Sequence, residues 1–86
     1  MSDRGAARAA VLSLLAHRAA GATICPSEAA RAMAAAGGSE DWRGEMQAVH
    51  AAVDRLVVEG VVRLSWRGEA LAERTGAYRI GRADSR

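Results

Sequence analysis

A chain of 86 residues, half of them hydrophobic and 26% charged, has room for one folded domain, not two, and is too apolar to stay disordered. The formal net charge of +2 is mild, but all twelve basic residues are arginine. Arginine donates forked hydrogen bonds to phosphate and to guanine edges, and it is also what GC-rich genomes encode, so arginine positions carry more information than their number.

The first periodic segment runs from Gly5 to Ala19. Ala7, Val11, Leu12, Leu14 and Leu15 give it an apolar side, with Arg4, Arg8 and Arg18 as polar members. The pattern predicts an amphipathic helix ended near Gly21. Thr23-Ile24-Cys25 is too short for a helix, and the residue before Pro26 avoids helical backbone, so a brief strand is expected. Cys25 reads as a small buried residue of that strand, with a reactive thiol at a helix start as the alternative. A lone cysteine excludes an internal disulfide and fits a reducing compartment.

Pro26 and Ser27 look like a helix start, with Ser27 or a neighbour as the cap. The second helix should run to Ala36, bury Ala29, Ala30 and Met33, and stop at Gly37-Gly38. Ser39-Glu40-Asp41 forms the next capping cluster. The third helix has the clearest period: Trp42, Met46, Val49, Val53 and Leu56 recur every three or four residues, Val57 widens the stripe, and Gly60 ends it.

After Gly60 the period becomes two. Val62, Leu64 and Trp66 alternate with Val61, Arg63 and Ser65, as in a half-buried strand. Arg67-Gly68-Glu69 offers a turn. Ala77 to Ile80 reads as the returning strand with Tyr78 and Ile80 inward, Ala70 to Gly76 as a wing loop or hairpin arm, and Gly81 to Arg86 as a frayed tail.

Three helices followed by a small antiparallel hairpin or sheet make an α+β winged helix-turn-helix, expected as one domain over residues 1–86 with its ordered core near 5–80. A plain three-helix bundle with an unrelated hairpin is the alternative. The residues Thr23 to Ala32 and Asp41 to Met46, with Arg55-Leu56, Glu59-Gly60 and Arg67-Gly68, resemble the bacterial family known as domain of unknown function 3253. The resemblance spans about Arg8 to Ile80. It implies a winged helix and no particular activity or site.

The third helix would then be the recognition helix, its outer face formed by Arg43, Gln47, Ala51, Asp54, Arg55 and Val58. Arginine and glutamine near a recognition-helix start read guanine and adenine, and Ala51 lets a backbone approach. Arg63, Arg67, Arg74 and Arg79 would form a phosphate-contacting stripe on the wing. Glu45, Asp54, Glu69 and Glu73 dilute both surfaces, and a salt-bridged solvated surface is the plainer reading of each. Trp42 and Trp66 are expected in the core.

His17 and His50 have no partners at metal-ligand spacing, and no nucleophile motif, phosphate loop or carboxylate pair is present, so neither a cofactor nor an enzymatic activity is expected. No run reaches about eighteen apolar residues and no signal-peptide pattern opens the chain, so a cytoplasmic protein with no membrane partner is expected. Double-stranded DNA is the leading partner. A second copy of the chain or another protein is the alternative.

Overall fold

The computed structural model describes residues 3–83. Among them the order is α1 (Asp3–Ala16), β1 (Thr23–Ile24), α2 (Pro26–Ala36), a 3-10 turn (Trp42–Glu45), α3 (Met46–Val58), β2 (Val62–Trp66), β3 (Glu69–Leu71) and β4 (Arg79–Arg82). The strands form one antiparallel sheet in the order β1-β4-β2-β3. The helices cover one of its faces. Ala7, Val11 and Leu15 of α1, Ala29 and Ala30 of α2, and Val49, Ala52, Val53 and Leu56 of α3 share one buried cluster with Ile24, Val62, Leu64, Tyr78 and Ile80. This is a winged-helix-like α+β arrangement.

The helix ends follow local chemistry. Cys25, not Ser27, is the N-cap of α2, and Pro26 takes the first helical position, where its missing N–H costs nothing. Glu28 reaches back to accept the Cys25 N–H at 2.9 Å and also pairs with Arg18. These bonds, the one from Cys25 foremost, hold the Glu28 carboxyl below its ordinary pKa. Cys25 is thus half-buried at a helix start rather than buried in β1. At the other end, Ser39 N–H returns to Ala34 O and Gly38 N–H to Ala35 O, which closes the last turn at the two glycines. The end of α3 repeats that geometry: Val61 N–H bonds Leu56 O, and Gly60 N–H bonds Val57 O with Gly60 at φ +75°.

Four expectations need correction. The first helix stops at Ala16, three residues early, because His17 N–H splits between Ser13 and Leu14 carbonyls and the His17 ring bonds Ser13 O. The segment beginning at Trp42 is a 3-10 turn, and α3 proper starts at Met46. Gly44 sits in that turn; glycine weakens a helix by about 1 kcal/mol, and tight turns are frequent at helix starts. Trp42 and Met46 therefore only flank the core, while Val49, Val53 and Leu56 are fully buried.

The wing is also built differently. The expected arm contains a third hairpin strand, β3, which returns along the outer edge of β2 with Leu71 opposite Leu64. Arg67 and Gly68 have φ of 53° and 84°, the two positive values that a two-residue type I′ turn requires. Finally, β4 continues through Gly81 and Arg82, and Ala83 N–H bonds Val61 O, so the start of the expected tail is sheet. Residues 84–86 of that tail lie outside the described residues.

Candidate nucleic-acid interface

The start of α3 is set by the 3-10 turn. It carries Arg43 outward and leaves the Trp42 ring half-buried beneath it. The Arg43 and Arg31 guanidinium groups each lie 4.6 Å from the Trp42 ring centroid, within range of cation–π attraction. Neither arginine has an ion-pair partner among the described residues. One turn on, Gln47 is exposed and Ala51 is half-buried.

Further along α3 the charges are neutralised. Arg55 donates to Glu59 at 3.1 Å, and Glu59 also pairs with Arg8 of α1 at 2.8 Å. Asp54 accepts a forked pair of hydrogen bonds from Arg74, each 2.9 Å long. That pair, chiefly its hydrogen bonds, holds the Asp54 carboxyl below its ordinary pKa. The Arg74 fork is thereby spent on α3 rather than free for phosphate. Val58 stands 79% exposed beyond this network.

The remaining wing arginines diverge. Arg67 occupies the hairpin tip with its guanidinium 5.8 Å from the ring of Trp66, which is 40% exposed rather than in the core. Arg63 is exposed on β2, on the sheet face that points away from the helices. Arg79 turns across the sheet and donates to the Thr23 hydroxyl at 2.7 Å and the Thr23 carbonyl at 3.1 Å. The eight candidate residues thus separate into a surface at the start of α3 with Arg43, Gln47 and Ala51, a compensated network holding Arg55 and Arg74, a wing tip with Arg67, and a far face with Arg63 and Arg79.

Sequence reasoning passed over two features of this region. Arg31 reaches Trp42 across the helix-turn-helix, a pairing that no local spacing announces. His50 and Tyr78 form the second: His50 Nδ1 lies 2.7 Å from the Tyr78 hydroxyl, with the rings 5.7 Å apart. Burial raises the Tyr78 pKa well beyond its usual value, so the hydroxyl keeps its proton and shares a hydrogen bond with the imidazole.

Burial first, and then the Arg74 charge, lower the His50 pKa from 6.5, with Asp54 opposing them. Below pH 6.5 the unfolded chain therefore takes up a proton that the folded chain declines. Stability is full above that pH and falls until the lowered folded-state pKa is reached. The urea midpoint should drop as pH falls from 7 into this window, and His50→Gln should flatten that slope. An unchanged slope in the variant would remove His50 as its source.

Helix, turn, 3-10 turn and helix, packed on a sheet that ends in a wing, define a winged-helix-like protein. The chain belongs to the family described as protein of unknown function (DUF3253), which matches residues 4–83. No curated protein matches it. Among the described residues no helix is long and apolar enough to cross a membrane, and no three metal-ligating side chains cluster.

Proposed function

We propose that this chain is a non-catalytic DNA-binding module, a regulator acting in the cytoplasm. It presents the start of α3 to the major groove and the wing tip to the phosphate backbone. One observation carries this reading: Arg43 and Arg67, at the exposed start of α3 and at the hairpin tip, have no carboxylate partner among the described residues. Gln47 and Ala51 follow Arg43 along α3. Arg43 with Gln47 supplies base-edge donors, and Ala51 permits close approach. The Asp54–Arg74 pair neutralises one of the acids on α3, while Glu45 at its start still opposes phosphate.

The test is a fluorescence-anisotropy titration of labelled duplex DNA against salt. Binding should weaken linearly in log–log form, because each phosphate contact releases counterions. Arg43→Ala with Arg67→Ala should lower affinity at least tenfold and flatten the salt slope by about one per lost phosphate contact. Absence of binding at low salt would reject the reading. The exposed Val58 and Trp66 favour a second reading, a protein-binding or self-associating module. Sedimentation that shifts with concentration and reverts in Val58→Glu would support it.

A further inference from the structure

The outer face of the sheet carries chemistry that the α3 surface does not use. Thr23 of β1, Gly81 of β4 and Arg63 of β2 stand in one row of the strand register. Ser65 stands between Arg79 and Ala70 in the next. Ile24, Val62, Leu64 and Ile80 fill the helical side, so strand alternation turns these residues away from it. Their small side chains leave a half-open cleft of about 680 Å³ bordered by Thr23, Arg63, Ser65, Ala70, Gly81 and Arg82. Gly81 keeps the floor low: a Cβ there would lie 3.3 Å from the Thr23 methyl.

Among the described residues the charged side chains that line this cleft are arginines. None of the side chains lining it is acidic. Arg63 has no hydrogen-bond or ion-pair partner among the described residues. Among the described residues Arg82 reaches only the Arg18 carbonyl, at 3.4 Å. Arg79, beside the cleft, bonds two neutral oxygens of Thr23. The neighbouring acid that senses Arg79, Glu28, is already paired with Arg18. Among the described residues, three guanidinium groups without a bonded carboxylate therefore stand at or next to this cavity. The Thr23 hydroxyl, which accepts from Arg79, still has its own proton to donate, and Ser65 adds a second hydroxyl.

The geometry points to an anion site that takes a small molecule bearing a diphosphate group. Arginine forks match phosphate oxygens in shape and charge. The cavity has the size of ordinary small-molecule sites. Duplex DNA is the wrong occupant, because the cleft lies on the face of the sheet opposite α3. A straight duplex seated on the exposed side of α3 does not reach it. The domain then has two separate faces, one for a ligand and one for its macromolecular target.

Inorganic pyrophosphate is the probe. It is titrated into the ¹⁵N-labelled full chain at constant ionic strength, followed by amide shifts. Saturable shifts are expected at Thr23, Arg63, Ser65 and Gly81. Arg63→Ala with Arg82→Ala should weaken binding at least tenfold while the circular dichroism spectrum stays native. No saturable shift, shifts confined to the Arg43 and Arg67 regions, or undiminished binding by the double variant would overturn the site. Displacement of pyrophosphate by duplex DNA, with the same variant losing DNA affinity, would assign the cleft to nucleic acid and overturn the small-molecule assignment. If pyrophosphate binds as expected and DNA does not bind at all, the cleft stands and the DNA reading falls.

Discussion

Leu56→Ala should cost about 3 kcal/mol of folding stability. Leu56 is fully buried on α3, beside the sheet. Its loss weighs heavily because the rest of the core is built from small residues: Ala7, Ala29, Ala30, Ala34 and Ala52 are all buried. Alanine lets helices approach closely but removes little apolar area from water, so a few Leu, Ile and Val side chains supply most of the transfer energy. A domain of this size has roughly 5–10 kcal/mol in total, and one such truncation takes a large share. Val58→Ala, two positions on at the exposed end of the same helix, supplies the contrast. It should change stability by no more than about 0.5 kcal/mol. Urea unfolding checks both through the midpoint at constant slope. Equal losses in the two variants would mean that α3 does not bury the face described.

The change of rhythm at Gly60 made the junction of α3 and β2 legible, since a one-sided helix and an alternating strand leave different periods in the chain. The Gly37-Gly38 stop and the inward Tyr78 and Ile80 were legible for the same local reasons. β3 was not: Glu69-Ala70-Leu71 is short and half polar, and it becomes a strand only because the type I′ turn at Arg67-Gly68 lays it along the free edge of β2. Arg82 was lost in the expected tail because a strand's last residues have no period of their own; its pairing with Val62 defines it.

The candidate interface was less legible than the fold. Arg43, Gln47, Arg63 and Arg67 are where alternation and helical period put them, on exposed surfaces. What each arginine is free to do depends on partners far along the chain. Arg74 meets Asp54 across 20 positions, and Arg79 meets Thr23 across 56. Local pattern contains neither distance. Those two contacts convert a stripe of wing arginines into one free tip and a separate far face.

The His50–Tyr78 contact ties the segment between β3 and β4 to α3. Tyr78 ends the wing segment, and its ring is buried between α3 and the sheet. Removing the ring in Tyr78→Ala deletes that packing and strands His50, a loss of about 3–5 kcal/mol. Tyr78→Phe isolates the polar part. It keeps the ring and removes only the hydroxyl hydrogen-bonded to His50 Nδ1, so it should cost about 1–2 kcal/mol. The two variants should also differ in kind. In Tyr78→Phe the fold persists but the wing is held to α3 mainly by the Arg74–Asp54 pair, a partly exposed ion pair worth little by itself. Amide hydrogen exchange should then quicken at residues 74–78 while the amides of β2 and α3 keep their protection. Adding Arg74→Ala to Tyr78→Phe should release this segment further, while the β2–β3 turn that carries Arg67 stays held by its own strand pairing. Uniform acceleration of exchange across the sheet in Tyr78→Phe would show instead that the hydroxyl supports the whole domain and has no separate hold on the wing.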